Sequence, residues 1–327
     1  MILDMIQNNG ISGTSKKDNL MVYKKKITVL GGSGMLGSMV VDLLHRNQNF
    51  SINATVRNSQ ILKKCKSRLP EINWKVLDVS LINEKKLVEL ICNSHWVINA
   101  IGVIKPYIND NISKEVERAI FINSVFPHIL NRVAEKNSVR VLQIATDCVY
   151  NGEKGSYKEY DPHNSLDVYG KTKSLGECYS DNVINIRCSI IGPELKGNLS
   201  LLEWFLGQQK GAELNGFNDH EWNGVTTLHF AKICESIILN DLSISTLQHI
   251  IPNDKVNKYE LLLMFQKYYE REDLIINSIK SKNIIDRTLS TEKKDVNSKI
   301  WLFAGYKNPP TIESMVKQLA RQNYWFK

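Results

Sequence analysis

The stretch KKITVLGGSGMLGSMVVDLL, residues 25–44, decides the fold of this chain. Residues 27–30 form a short β-branched pattern typical of a strand, and an amphipathic helical pattern begins near Met35. Between the two lie Gly31, Gly34 and Gly37. Glycine is required where a strand turns sharply into a helix and where backbone approaches a pyrophosphate, whose charge then faces the helix N-terminus. The order strand, glycine turn, helix therefore predicts dinucleotide binding rather than a merely flexible turn.

The ends of the next two strand patterns indicate which dinucleotide binds. The second pattern, INATVRN, contains Arg57 with no acidic residue beside it. An acidic residue there would hydrogen-bond the ribose hydroxyls of NAD, so Arg57 favours NADPH. The alternative is that Arg57 is simply an exposed surface residue. Asp78 ends the third strand and either accepts from the adenine amino group or caps the next turn. The cofactor residues predicted in this half are Gly31, Ser33, Gly34, Met35, Leu36, Gly37, Arg57, Asp78 and Val79.

Further strand patterns at residues 74–79, 96–102 and 140–147 alternate with helical patterns. This alternation predicts an α/β fold, a Rossmann-type doubly wound parallel sheet with helices on both faces. After residue 192 the pattern loosens into polar loops and helices. We therefore expect a flexible N-terminal extension at residues 1–24, an NADP-binding Rossmann domain at 25–186, and a smaller, mixed substrate-binding region at 187–327.

Composition limits the kinds of partner that the protein is expected to bind. Lys and Arg number 42 against 34 Asp and Glu, a formal charge of +8, but the basic residues are scattered and form no block interleaved with aromatics. We assign the charge to solvation and a phosphate pocket, and expect no nucleic-acid partner. The six cysteines show no C-x-x-C spacing and no histidine at metal spacing, which predicts a reducing compartment and no metal. Without a signal-peptide pattern or a long apolar run, we expect a cytoplasmic protein with no membrane contact. The oligomeric state stays open, and a homodimer is one arrangement that the sequence allows.

The segment LDVYGKTK, residues 166–173, places Tyr169 and Lys173 four positions apart, one helical turn on one face. Thr146 stands where the fifth strand ends. When hydride reaches a carbonyl carbon, the oxygen needs a proton, which Tyr169 can supply if Lys173 lowers its pKa toward neutrality. Thr146 can hydrogen-bond the same oxygen. Taken alone the pair could be a solvated helix surface, but its place after the fifth strand favours catalysis.

Several motifs in the same order resemble the extended short-chain dehydrogenases/reductases, and within them the dTDP-4-dehydrorhamnose reductase group. They are GGSGMLG (31–37), NAIG (99–102), ATDCVYNGEKGSYKEYDPHNSLDVYGKTKSLGE (145–177) and NIRCSIIGPEL (185–195). The resemblance covers nearly everything from residue 26 onward. It implies a catalytic triad of Thr146, Tyr169 and Lys173. It also implies cofactor contacts at Tyr169, Lys173, Asn99, Ala100, Ile101 and Gly102.

The implied activity is NADPH-dependent reduction of the C4 ketone of a nucleotide-activated 4-keto-6-deoxyhexose, UDP- or dTDP-linked, for glycan biosynthesis. The segments IGVIKP, INSVFPHIL, SLLEWFL and IIDRTL look like a subgroup that acts on UDP-linked 2-acetamido-2,6-dideoxy-hexos-4-uloses. Substrate contacts are expected from Lys105, Cys148, Arg187, Glu194, Trp204 and Arg287. Arg287 suits the diphosphate best, because a guanidinium pairs with phosphate oxygens bidentately.

Departures from the family pattern leave two alternatives open. Ala145 replaces the usual serine, and Cys148 replaces the glutamate of the dehydratase relatives, which disfavours dehydration. Cys148 resembles the cysteine of GDP-fucose synthases, but Glu194 stands at their histidine position, so a combined epimerase and 4-reductase is one alternative. A buried structural cysteine is the commoner case. A non-catalytic NADP-binding regulatory subunit is the other alternative, because a fold never proves activity.

Overall fold

The computed structural model describes residues 24–195, 197 and 199–326, so the predicted extension at 1–24 lies outside the described residues except for Lys24. The strands are β1 (Lys25–Leu30), β2 (Phe50–Val56), β3 (Asn73–Val76), β4 (Trp96–Asn99), β5 (Arg140–Ala145), β6 (Val183–Arg187), β7 (Ile190–Ile191), β8 (Glu213–Phe217), β9 (His220–Trp222), β10 (Val225–Thr226), β11 (Leu247–His249), β12 (Val256–Asn257), β13 (Ile275–Ile279) and β14 (Ile285–Asp286). The helices are α1 (Met35–Leu44), α2 (Ser59–Arg68), α3 (Glu84–Ile91), α4 (Ser113–Ile120), α5 (Phe126–Lys136), α6 (Val168–Leu175), α7 (Leu201–Leu206), α8 (Thr227–Leu239), α9 (Lys258–Tyr268), α10 (Lys294–Phe303) and α11 (Ile312–Arg321).

A seven-stranded parallel sheet runs through the molecule in the order β11-β6-β5-β4-β1-β2-β3. β1 pairs with β2 on one side and β4 on the other, so the chain changes direction across the sheet at β1. In such sheets the crevice at the carboxyl ends of the strands beside this reversal binds ligands. The predicted Rossmann-type parallel sheet is confirmed, and the glycine turn leaves β1 at this crevice.

Helices cover both faces of the sheet because the strands are apolar on both sides. On one face α1 packs against α8, and Val40 and Ile233 are completely buried there. On the other face α3 and α5 pack together over Leu87 and Leu130, which are also completely buried. Each layer removes a continuous apolar surface from water, which is the main driving force for this arrangement.

The residues after 186 form a mixed region with three small sheets, β10-β7, β12-β9-β14 and β13-β8. They also contribute β11 to the edge of the main sheet, where Gln248 pairs with Ile186 of β6. The helix α8 likewise packs on α1 of the Rossmann half. The boundary at 186 stays a prediction, and the main layers take up residues from beyond it. No helix in the described ranges is long and apolar enough to cross a membrane.

Candidate active site

Two glycines of the turn after β1 are required by geometry. Gly31 has φ +80°, and a Cβ there would lie 3.0 Å from the Cγ1 of Ile101 and 3.2 Å from the Ala100 carbonyl carbon. A Cβ on Gly37 would lie 2.2 Å from the carbonyl oxygen of Gly31, so α1 packs directly on the turn. A side chain at Gly31 would collide with the residues that follow β4, and one at Gly37 would push α1 away from the turn. The predicted turn is therefore formed as the G-x-x-G-x-x-G pattern requires.

The N-terminus of α1 is open to an anion. Gly34 caps it without a side-chain hydrogen bond, and the first turn contains no acidic residue. The first N–H groups of the helix have no intrahelical acceptors, and the helix dipole makes this end positive. Ser33 and Met35 are partly buried beside it, whereas the side chain of Leu36 is buried, so only its backbone can meet a ligand. These residues fit a pyrophosphate.

The other predicted cofactor residues line the same sheet edge. Arg57, directly after β2, is exposed and has no hydrogen bond or ion pair within the described part of the chain. Asp78 caps the helical turn at residues 79–81 by accepting from the amide of Ser80 at 3.0 Å, which is the alternative role stated above, and Val79 is buried. The buried amide of Asn99 accepts from the Ile101 amide at 3.2 Å and shapes the turn to residue 102.

The predicted catalytic residues come together because α6 lies against the turn that follows β5. Asp167 caps α6 by accepting from the Gly170 amide at 2.8 Å. A Cβ on Gly170 would lie 2.4 Å from the carbonyl oxygen of Cys148, so this helix turn contacts the β5 turn directly. Tyr169 then lies close enough to the hydroxyl of Thr146 for that hydroxyl to lower its pKa.

Lys173 lies one turn further along α6, and its Nζ donates to the carbonyl oxygen of Ile144 at 2.6 Å. Burial lowers the pKa of Lys173 to about 8. Burial raises the pKa of Tyr169, and the neighbouring Cys148 and Asp147 raise it further. The hydroxyl of Thr146 lowers this pKa by a smaller amount than burial raises it. The expectation that Lys173 would bring the Tyr169 pKa toward neutrality is therefore wrong for this structure, because desolvation dominates. Tyr169 keeps its proton at neutral pH, which suits an acid.

Asn123 connects two segments of the site through its side-chain hydrogen bonds, and the sequence did not indicate this role. Helix α4 runs into α5 through a π-helical turn at Phe121–Val125, which buries Asn123. Its side chain accepts from the Val103 amide at 2.8 Å and donates to the Val103 carbonyl at 2.9 Å and to Thr172 at 3.2 Å. It thereby joins the loop after β4 to α6. The only sequence signal was an asparagine inside an apolar helical pattern.

Arg187 is not a substrate contact, and that prediction is wrong. Its side chain is completely buried, and its Nη2 donates to Glu177 at 2.6 Å. The same guanidinium donates to the Tyr150 hydroxyl at 2.6 Å and contacts Nε2 of His249 and of His163, each at 2.8 Å. These partners use its donors, because β6 points this residue at the C-terminal end of α6, where Glu177 supplies the opposite charge.

Lys105, Cys148 and Arg287 surround the catalytic residues. Lys105 ion-pairs with Asp167 at 2.8 Å, at the cap of α6. Arg287 donates from Nε to the carbonyl of Tyr150 at 2.9 Å. Burial raises the pKa of Asp147, while the charge of Arg287 opposes the rise, so the guanidinium faces the turn that holds Thr146.

Cys148 is a neutral thiol in this setting, because burial and the neighbouring Asp147 raise its pKa to about 12. Glu194 accepts from the amide of Ser200 at 2.5 Å and so organises the turn before α7. Trp204 lies on α7 with 38% of its surface exposed. The carboxylate of Glu194 therefore has a hydrogen-bond partner within the protein, the Ser200 amide.

Two further residues come from the C-terminal region: Trp222, for which the sequence left open a sugar contact or a place in the core of its own loop, and Lys258, which the sequence did not indicate. Trp222, on β9, is buried and donates from Nε1 to the Ser189 hydroxyl at 2.8 Å. The ammonium of Lys258, the first residue of α9, lies 5.5 Å from the centroid of the Trp222 ring. Both come from long-range pairing of short strands, which leaves no motif in the sequence.

A glycine-turn groove beside a Thr-Tyr-Lys set at the carboxyl edge of a parallel sheet defines the class of extended short-chain dehydrogenases/reductases. The chain belongs to the family whose model is described as the RmlD substrate binding domain, which matches residues 25–321.

Individual relatives agree with that family. The chain is 28% identical to a dTDP-4-dehydrorhamnose reductase of Aggregatibacter actinomycetemcomitans over 156 residues, 46% of this chain and 45% of the relative. It is 22% identical to the methionine adenosyltransferase 2 subunit beta of Danio rerio over 77% of this chain and 76% of the relative. The match spans less than half the length of the first curated relatives. The dTDP-4-dehydrorhamnose reductase of Bacillus anthracis, solved in complex with NADP, superposes with a TM-score of 0.67 at 15% identity, covering 90% of this chain and 98% of that chain. At that identity the likeness shows the fold alone.

Proposed function

We propose that this protein reduces the C4 ketone of a nucleotide-activated 4-keto-6-deoxyhexose with NADPH. The observation that carries the proposal is that α6 packs on the turn after β5, which brings Tyr169 close to Thr146 at the carboxyl edge of the sheet, one helical turn from the buried Lys173. Membership of the RmlD substrate binding domain family and the likeness to dTDP-4-dehydrorhamnose reductases support it.

The residues of the groove fit NADPH. The open N-terminus of α1 and the close-packed Gly31 suit the pyrophosphate, and the guanidinium of Arg57, which no described residue pairs, suits a 2′-phosphate. The NADP in the Bacillus anthracis reductase agrees with this assignment. When bound, the nicotinamide supplies the hydride.

The residues of this chain handle the proton. Thr146 hydrogen-bonds the ketone oxygen and orients it, and Tyr169 donates its phenolic proton to that oxygen as charge develops there. The raised pKa of Tyr169 keeps the proton in place until then. Lys173 donates to the Ile144 carbonyl one helical turn from Tyr169, and in the proposed step its positive charge stabilises the phenolate that the transfer leaves.

The test is NADPH consumption with UDP- and dTDP-linked 4-keto-6-deoxy sugars, with and without a 2-acetamido group, run in deuterated water. We expect oxidation with one donor class and no deuterium on carbon, which would also name the nucleotide. Carbon-bound deuterium beside the former ketone, absent without protein, would instead support epimerisation through Cys148. No consumption with any sugar of the panel would contradict the proposal.

A second candidate is a non-catalytic NADP-binding subunit that regulates a partner enzyme. It is favoured by the similarity to methionine adenosyltransferase 2 subunit beta, which extends over 77% of this chain. The complete Thr146, Tyr169 and Lys173 set argues for catalysis, because regulation has no chemical need of all three. Tight NADPH binding without turnover of any sugar would favour this second candidate.

A further inference from the structure

A small sheet brings two cationic residues to the catalytic site from the C-terminal region. In the sheet β12-β9-β14, Glu221 of the central strand pairs with Asn257 on one side and with Asp286 on the other. The next residue on each outer strand is cationic, Lys258 after β12 and Arg287 after β14. These two side chains therefore flank the strand that carries Trp222.

No polar partner among the described residues explains why a lysine stands at position 258. Its side chain is partly buried and makes no hydrogen bond or ion pair with any residue that the structure describes. Its one contact of note is the face of Trp222, 5.5 Å from Nζ to the ring centroid. An ammonium carries three donors, and withdrawing them from water without acceptors is unfavourable. The cation–π contact offsets only part of that cost.

The helix that starts at Lys258 does not need a lysine there. Asn257 accepts from the amide of Glu260 at 2.9 Å, and Glu260 accepts from the amide of Asn257 at 2.9 Å, which completes the cap. A cation in the first turn lies at the positive end of the helix dipole and destabilises the helix. Neither packing nor capping accounts for this residue.

The charges that act on Lys258 belong to the catalytic site. Burial lowers its pKa, Asp147 and Cys148 oppose that change, and Arg287 adds to it. Asp147 and Cys148 directly follow Thr146, and both act on the pKa of Tyr169 as well. The ammonium therefore lies near the turn that follows Thr146, beside the strand that carries Trp222.

We propose that Lys258 binds the substrate, donating to an oxygen of the nucleotide sugar beside Arg287. The acceptor is an oxygen of the diphosphate or of a substituent on the sugar. Either oxygen can accept a hydrogen bond from the Lys258 ammonium. A ligand oxygen here would give the partly buried ammonium hydrogen bonds that the described residues do not provide. The inference rests on the proposed function, because it takes the substrate from it.

The test compares Lys258→Met with Lys255→Met, a matched change directly before β12 at a side chain that is 56% exposed and lies near Glu221. Binding of UDP, dTDP and NADPH is measured by calorimetry, and KM and kcat are measured with the sugar that the panel identifies. Losing hydrogen bonds from a charged donor predicts a KM about tenfold higher or more for Lys258→Met. We expect unchanged NADPH affinity in both variants and an unchanged KM in Lys255→Met.

The binding of free nucleotides separates the two sources of the acceptor. If Lys258 contacts the diphosphate, the Kd of UDP or dTDP rises with KM. If it contacts the sugar, KM rises alone. A Lys258→Met protein with wild-type KM and nucleotide affinity would overturn the inference and leave the proposed function standing. A wild-type protein that binds NADPH but no nucleoside diphosphate and no sugar of the panel would overturn both.

Discussion

Thr146 and Tyr169 lie 23 positions apart in the sequence and meet because two local details allow it. Thr146 caps the helical turn at residues 147–149, accepting from the Cys148 amide at 3.2 Å, and this fixes its side chain at the end of β5. Gly170 has no Cβ, so α6 can lie on that turn. The spacing of Tyr169 and Lys173 predicted the pair, but not the direction of the Tyr169 pKa, because desolvation depends on neighbours that spacing does not show.

The pH dependence of reduction tests the role of Lys173. Its folded pKa of about 8 means that the ammonium is present below that pH and is lost as the pH rises through it. Tyr169, with a raised pKa, stays protonated over that interval. We expect kcat/KM to fall above about pH 8 as Lys173 becomes neutral.

The control for this profile is Lys171→Arg, an exposed position on the same helix, which should leave the profile unchanged. A rate that stays level well beyond the Lys173 pKa of about 8 would show that the lysine charge is not needed for reduction.

Arg57 is predicted to select NADPH over NADH. The exposed guanidinium has no partner within the described ranges, and bidentate bonds to a phosphate are worth enough to change affinity about 10- to 100-fold. Arg57→Glu should therefore lose most of the preference, measured as the ratio of kcat/KM for the two cofactors. Arg68→Glu, at the exposed end of α2, should keep it. Unchanged discrimination in Arg57→Glu would show that another group binds the 2′-phosphate.

At the scale of elements, β1, the glycine turn and α1 were predictable because local propensity and periodicity agree there. Helix α6 shows the opposite case. Its C-terminal end is held by the buried Glu177–Arg187 pair, and sequence reasoning assigned Arg187 to the substrate because an arginine at a strand end fits both roles. The pairing of two-residue strands such as β12 and β14 with β9 was likewise not predictable from the sequence, since no periodicity marks a strand that short.

The Arg187–Glu177 pair should control stability strongly. Arg187→Met leaves the Glu177 carboxylate buried without its cation, and breaking a buried pair in this way costs about 3–5 kcal/mol. The free energy of unfolding in urea measures the loss. The exposed pair Arg132–Glu84 is the control, and Arg132→Met should cost much less because water screens it. Equal losses in the two variants would contradict the structural role of Arg187.

At the scale of the whole molecule, the sheet positions the predicted cofactor groove, and the C-terminal region adds β11 to the edge of the sheet and brings Lys258 and Arg287 near Asp147. The doubly wound parallel sheet of the Rossmann half followed from the sequence, because alternating strands and helices allow few topologies. The entry of β11 into the main sheet and the approach of Lys258 and Arg287 to Asp147 did not, because they depend on contacts between residues more than 60 positions apart. Chemistry at this site thus combines predictable local motifs with long-range packing.

The most direct test of the proposed reduction is the rate of NADPH oxidation by Tyr169→Phe, beside Tyr160→Phe at a side chain that is 74% exposed. A positioned acid contributes about 100-fold or more, so Tyr169→Phe should lose at least that much of kcat while NADPH binds as tightly as before. Tyr160→Phe should turn over normally. Wild-type rates in Tyr169→Phe would show that the proton comes from elsewhere and would contradict the proposed catalytic site.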